Sequence, residues 1–125
     1  MGVEVIQVSM RGADDTPAQD KRILQALRRH RLLNQRHVFR GFRRRNLKKL
    51  LEVGIDHDPR KSTFVSTRDQ LKDDPLDTGE NALRFALEGG CLAVYREPLV
   101  SDGALGCRVP SNIRDQLVAV IVINW

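Results

Sequence analysis

The chain has 125 residues, the size of one ordinary domain, so the sequence predicts a single domain over residues 1–125. Hydrophobic residues make up 41% and charged residues 30%, which is too apolar for an intrinsically disordered protein. The longest apolar run, Leu117 to Ile123, is much shorter than a membrane span, and the N-terminus has no secretory signal pattern. We therefore expect a cytoplasmic protein that does not associate with membranes.

Positive charge is concentrated in one segment of the sequence. The formal net charge is +5, but the segment from Lys21 to Lys49 contains twelve Lys or Arg and no acidic residue. The other nine basic residues face all sixteen acidic ones, so the rest of the chain carries nine minus sixteen, or −7. A segment this basic attracts phosphates or polyanions.

The N-terminal part predicts a strand followed by a long helix. Residues 3–8 are rich in β-branched residues and form the strand. Its candidates for the inward face are Val3, Val5 and Val8. Asp15 or Thr16 can cap the helix, Pro17 suits its first turn, and the apolar pattern extends to about Leu33.

Strands and short helices alternate along the remaining chain. The predicted strands are His37–Arg40 (closed by Gly41), Thr63–Ser66, Cys91–Tyr95 and Leu117–Ile123. One predicted helix covers Asn46–Val53, with Gly54 as its stop, and another follows a capping box of Asp77 and Glu80 and ends at Gly89. Residues 98–108 are predicted to form a loop.

The order of these elements predicts the fold class. Alternating strands and helices are compatible with a parallel doubly wound sheet. The helix near Leu50 is short, however, and the connections around Pro59 and Pro98 are irregular. We therefore predict an α+β fold, with a compact mixed sheet and flanking helices.

The two cysteines do not indicate a metal site. Neither has a histidine at ligand spacing, and two thiols alone do not complete a structural zinc site. Cys91 lies in an apolar stretch, which is typical of a small buried hydrophobic residue, and Cys107 lies in a predicted loop.

Five short motifs follow one another between Val38 and Tyr95. They are Phe39-Arg40-Gly41, Asn46–Ile55, Phe64-Val65-Ser66-Thr67, Ala82–Ala86 and Leu92–Tyr95. In this order and spacing they resemble the NAD-binding part of an ADP-ribosyltransferase-like domain. The resemblance covers about half of the chain and implies that fold, with NAD as the cofactor and a protein or nucleic-acid acceptor. Such a protein would be a small toxin or a modifying enzyme.

The resemblance also implies roles for individual residues. Arg40 would bind the pyrophosphate or the ribose edge of NAD and take part in catalysis, since guanidinium groups bind phosphate in bidentate fashion. Gly41 would let the ligand approach the backbone. Ser66 would position the reacting ribose, with Thr67 beside it in the cofactor site. Arg68 stands where the family usually has a third small hydroxyl residue.

The resemblance implies a catalytic carboxylate, but the motif that usually carries it is missing from this sequence. Transferases of this type carry Glu-x-Glu or Gln-x-Glu near the start of a late strand, and this sequence has no such pair. Asp115, just before the last predicted strand, is the first candidate, and Glu88 and Glu97 are the others. A catalytically degenerate NAD-binding module is therefore a second hypothesis.

A third hypothesis is a non-enzymatic protein that binds RNA, DNA or another polyanion. Its contact residues would come from the basic segment, where few aromatic residues are available to stack on bases. The candidates are Arg28, Arg29, Arg31, Arg43, Arg44, Arg45, Lys48 and Lys49.

Overall fold

The centre of the fold is one mixed five-stranded sheet. The computed structural model describes residues 2–56, 65–72, 81–96, 100–101, 107–108 and 112–125. Its strands are β1 (Glu4–Ser9), β2 (His37–Arg43), β3 (Ser66–Thr67), β4 (Gly90–Arg96), β5 (Val100–Ser101), β6 (Cys107–Arg108) and β7 (Leu117–Asn124). The sheet has the order β1-β7-β4-β2-β3, in which β1 and β7 are parallel and the other pairs antiparallel, while β5 and β6 pair separately.

Helices cover both faces of the sheet. They are α1 (Thr16–Arg29), α2 (Leu47–Val53, entered through a 3₁₀ turn at Arg44–Asn46), α3 (Arg68–Lys72), α4 (Ala82–Gly89) and α5 (Ile113–Gln116). One apolar cluster joins α1, α3 and α4 to the sheet, and a second joins α2 and α5 to the opposite face. The predicted α+β architecture, a mixed sheet with flanking helices, is therefore confirmed. Within the described ranges, no helix is both long and apolar enough to cross a membrane.

Helix α1 ends earlier than predicted because the chain reverses at Arg31. The predicted start is confirmed, since the Asp15 side chain accepts a hydrogen bond from the amide of Ala18 at 2.8 Å. At the other end Arg31 has a φ of 58°, and the amide of Leu32 donates to the carbonyl of Leu27 at 2.8 Å. This reversal returns the side chain of Leu32 to the core. The apolar pattern of the sequence therefore continues to Leu32, beyond the end of the helix.

The inward face of β1 differs from the prediction. Ile6 and Val8 are buried against the cluster that contains α1, whereas Val5 is 46% exposed. Successive side chains of a strand point to opposite faces, so burial of Ile6 and Val8 turns Val3 and Val5 to the other face. The prediction was correct for Val8 and wrong for Val5, and Val3 is only partly buried.

Strand β2 continues through Gly41 instead of ending there. A Cβ atom on Gly41 would lie 2.5 Å from the amide nitrogen of Ala86 and 2.5 Å from the Cβ of Phe85. A Cβ on Gly89 would lie 2.5 Å from the carbonyl oxygen of Phe42. The missing side chains let α4 lie directly on β2, so Gly41 marks a helix–strand contact.

Several other boundaries agree with the sequence patterns. The strands at β4 and β7 are confirmed, and α2 ends at Gly54 as predicted. Helix α4 has Asn81 as its N-cap, with the Asn81 side chain accepting a hydrogen bond from the amide of Leu83. Asp77, Glu80 and the first two residues of the strand predicted at 63–66 lie outside the described residues. Strands β5 and β6 lie in the segment predicted as a loop.

The contact between α4 and β2 gives a stability prediction. We expect Gly41→Ala to lower the free energy of unfolding by about 2 kcal/mol, because the added methyl group overlaps backbone atoms of α4. Gly2→Ala is the matched control, since its Cβ would meet nothing within 4 Å. Urea unfolding of both variants measures the difference. Equal stability of the two variants would contradict the close packing of α4 on Gly41 of β2.

Candidate functional site: an arginine-lined cleft

A cleft of about 860 Å³ runs along the second half of β2. The described residues that line it are Arg40, Gly41, Phe42, Arg43, Arg44, Arg45, Asn46, Asp56, Phe85, Glu88 and Gly89. These include four guanidinium groups and two carboxylates, a formal excess of two positive charges (four minus two). The cleft is therefore suited to an anionic ligand.

Arg40 forms a largely buried ion pair on one wall of the cleft. Its Nη1 lies 2.5 Å from Oδ1 of Asp56, and the two side chains are only 14% and 9% exposed. Asn46 donates from Nδ2 to the other carboxylate oxygen of Asp56 at 3.4 Å. Asp56 thus compensates the charge of Arg40 within the protein, so a bound anion would compete with this carboxylate for the guanidinium.

The end of α2 holds Asp56 in this position. Gly54 has a φ of 89° and donates its amide to the carbonyl of Leu50 at 2.7 Å, which ends the helix and turns the chain. The buried hydroxyl of Tyr95 donates to the carbonyl of Gly54 at 2.8 Å, and Arg114 Nε donates to the carbonyl of Leu51 at 2.7 Å. These bonds fix the turn two residues before Asp56, so this wall is pre-organised.

Three more arginines provide the positive charge of the cleft. Arg43, Arg44 and Arg45 are exposed, and within the described part of the chain none has an ion-pair partner. Arg44 lies next to Cys91, whose burial raises the pKa of its thiol to about 11 while the Arg44 charge opposes the shift. The buried Cys91 thiol therefore stays protonated at neutral pH and is not a nucleophile.

Helix α4 forms the opposite wall. Its contributions are Gly89, the 40% exposed ring of Phe85 and the exposed carboxylate of Glu88. Phe85 and Glu88 are three positions apart, so they lie on the same side of the helix. The sequence predicts Glu88 only as an alternative to Asp115 and assigns no site role to Phe85, because the contact of α4 with β2 that brings both to the arginines has no local signal.

Ser66 and Thr67 anchor helices, and neither belongs to the described residues that line the cleft. Ser66 is 1% exposed, and its Oγ accepts a hydrogen bond from the amide of Ala82 at 3.0 Å, at the start of α4. Thr67 Oγ1 accepts from the amide of Gln70 at 3.3 Å, while Gln70 Oε1 accepts from the amide of Thr67 at 2.9 Å. This reciprocal pair caps α3.

Asp115 is also outside the described lining of the cleft. It is exposed in the first turn of α5, and the neighbouring Arg114 packs this helix against the end of α2. Of the other two acidic candidates, Glu88 lines the cleft and Glu97 lies outside the described residues. Glu88 is therefore the candidate carboxylate that the structure brings to the arginines.

The basic residues proposed to contact nucleic acid fall into two groups. Arg28, Arg29 and Arg31 flank His30, whose Nδ1 is 2.7 Å from Glu4 Oε1 at the start of β1. The other group begins with Arg43, the last residue of β2, and continues through Arg44 and Arg45 to the exposed Lys48 and Lys49. Strand β2 runs parallel to β1. The groups are on the order of 20 Å apart, counting residue steps along the sheet and strands across it. Within the described part of the chain, the two groups are therefore separate in space.

Comparison with known proteins provides no relative. No protein-family model matches the chain, and neither a curated protein nor a solved structure matches it. The cleft and the motifs between residues 38 and 95 are therefore the features that bear on function.

The ion pair between Arg40 and Asp56 can be tested by a double-mutant cycle. We expect Arg40→Ala and Asp56→Ala each to cost about 3 kcal/mol, because each leaves a nearly buried charge without its partner. The double variant should be at least about 1 kcal/mol more stable than the sum predicts.

The control for this cycle is the exposed pair of Arg68 and Asp69, whose groups lie 3.2 Å apart and are 29% and 72% exposed. Its coupling energy should be close to zero. Additive effects at Arg40 and Asp56, measured by denaturant unfolding, would show that the pair does not stabilise this wall.

Proposed function

We propose that the chain is an ADP-ribosyltransferase-like domain that binds NAD in the cleft along β2 and uses it to modify an acceptor. The observation that supports this proposal is the convergence of four arginines and an aromatic ring on one cleft. Its volume of about 860 Å³ is in the range of small-molecule sites. Arg40 and Gly41, two residues of the family resemblance, are part of the lining.

Each wall has its own role in this proposal. Arg43, Arg44 and Arg45 would bind the pyrophosphate, since planar guanidinium groups form paired hydrogen bonds with phosphate oxygens. The exposed ring of Phe85 would stack on one of the two bases. Arg40, paired with Asp56, would hold the wall and reach the ligand from there, while Ser66 holds α4 in place.

The reaction requires negative charge near the nicotinamide ribose. As the bond between ribose and nicotinamide breaks, the ribosyl carbon gains positive charge and nicotinamide leaves as a neutral base. A nucleophilic oxygen or nitrogen of the acceptor then bonds to that carbon and loses its proton. The described lining of the cleft has two carboxylates, and Asp56 is already paired with Arg40. We therefore assign to Glu88 the role of stabilising the positive charge on the ribose.

The affinity for NAD tests the proposed role of the arginines. Arg44→Ala should weaken NAD binding about tenfold or more, because a charged hydrogen bond to phosphate is lost. Arg29→Ala removes an exposed arginine from the other basic group and should leave the affinity unchanged. Titration calorimetry measures both. Arg44 is a better choice than Arg40, whose replacement also breaks the ion pair with Asp56.

Release of nicotinamide tests the role of Glu88. We expect Glu88→Gln to reduce the rate of release about 100-fold while NAD affinity changes little, since the lost charge acts mainly in the transition state. Glu52→Gln, on the exposed side of α2, is the control and should behave like the unmodified protein. A rate unaffected by Glu88→Gln would remove that residue from the mechanism.

The same measurements separate the alternative functions. Binding of NAD without release of nicotinamide would indicate a degenerate binding module. Absence of binding at millimolar NAD, together with RNA or DNA binding that weakens steeply with salt, would indicate a nucleic-acid-binding protein. Its contacts would then come from Arg43–Arg45, Lys48 and Lys49, the larger of the two basic groups.

A further inference from the structure

A second concave surface lies between α1 and α3, away from the arginine-lined cleft. This groove has a volume of about 280 Å³ and shares no described lining residue with the first cleft. Its volume corresponds to roughly nine water molecules, or a ligand of roughly ten non-hydrogen atoms. It is too small for a dinucleotide and has the size of a short organic acid.

The floor of this groove is apolar. Leu71 of α3 and Leu83 of α4 are each 1% exposed, and the half-buried Leu24 of α1 completes it. All three belong to the apolar cluster that joins α1, α3 and α4 to the sheet, or pack against it, so the floor is rigid. A hydrocarbon chain or ring placed here would remove apolar surface from water.

The rim of the groove is cationic. Lys21 and Arg28 are exposed and lie seven positions apart on α1, about 10 Å along the helix axis, with Leu24 between them on the same face. The exposed Lys72 stands on the α3 side. These groups can be contacted by an anionic head while the body of the ligand lies on the leucines.

The one carboxylate in the described lining does not cancel this charge. Asp20 is ion-paired with Arg84 of α4, and the two side chains are 16% and 20% exposed. The pair is neutral as a unit and also ties α1 to α4 beside the groove. Among the described residues that line the groove, the three rim cations thus outnumber the carboxylates and can attract an anion.

We propose that the groove between α1 and α3 binds a small soluble carboxylic acid with an apolar body. Charge complementarity selects an anion, and the three leucines select a ligand with a hydrocarbon body over inorganic phosphate. The site is separate from the NAD site, and its existence does not depend on the function proposed for the cleft.

Octanoate is the test ligand, and octanol, which has the same chain length without the charge, is its control. We expect octanoate to bind at least about tenfold more tightly than octanol. Titration calorimetry or chemical-shift changes in the full chain measure both affinities. Lys21→Glu combined with Lys72→Glu should weaken octanoate binding at least about tenfold. Lys48→Glu combined with Lys49→Glu, on α2, changes the net charge equally and should have no effect.

Several outcomes would overturn this proposal. They are equal affinity for octanoate and octanol, equal loss in both double variants, or no binding at millimolar octanoate by the folded protein. Inorganic phosphate that binds as tightly as octanoate would indicate a simple anion site. Binding to anionic phospholipid vesicles that is lost with Lys21→Glu and Lys72→Glu, in the absence of octanoate binding, would instead indicate a lipid surface as the partner. Circular dichroism of each variant establishes that the fold is retained.

Discussion

The direct contact of α4 with β2 is the constraint on which the cleft depends. A side chain on either Gly41 or Gly89 would place its Cβ 2.5 Å from backbone atoms of the opposing element. Because both positions lack a side chain, the helix lies on the strand, and Phe85 and Glu88 reach the arginines at the end of β2. The buried hydroxyl of Ser66 secures the start of the same helix from β3. This wall of the cleft is therefore a consequence of backbone packing.

The other wall is held by hydrogen bonds to the end of α2. Tyr95 reaches it from the central strand β4, and Arg114 reaches it from α5. Both act on the turn at Gly54, which places Asp56 beside Arg40. Since β4 also pairs with β2 along its whole length, one strand sets the relation of the two walls. A ligand would enter a site that is shaped before it binds, which reduces the entropic cost of binding.

Local features of the fold were predictable from the sequence, while features that depend on tertiary contacts were not. Asp15 and Gly54 act on their own helices, so short patterns identified those helix ends. The apolar spacing of Leu32 could not distinguish another helical turn from a chain reversal that returns the side chain to the core. The sequence predicts a strand end at Gly41 because α4, which Gly41 contacts, is distant in sequence. The pairing of Arg40 with Asp56, sixteen positions away, had no local signal either.

The separation of the basic residues changes what the charge pattern implies. A run of basic residues in sequence suggests a continuous track for a polyanion, but here α1 and α2 lie on opposite faces of the sheet. Binding of a long phosphate backbone improves with each additional contact along one surface. Three neighbouring arginines, with a fourth already compensated by Asp56, favour a compact ligand with two or three phosphate charges. The geometry of the charge, more than its amount, therefore favours a compact anion over a long polyanion in this cleft.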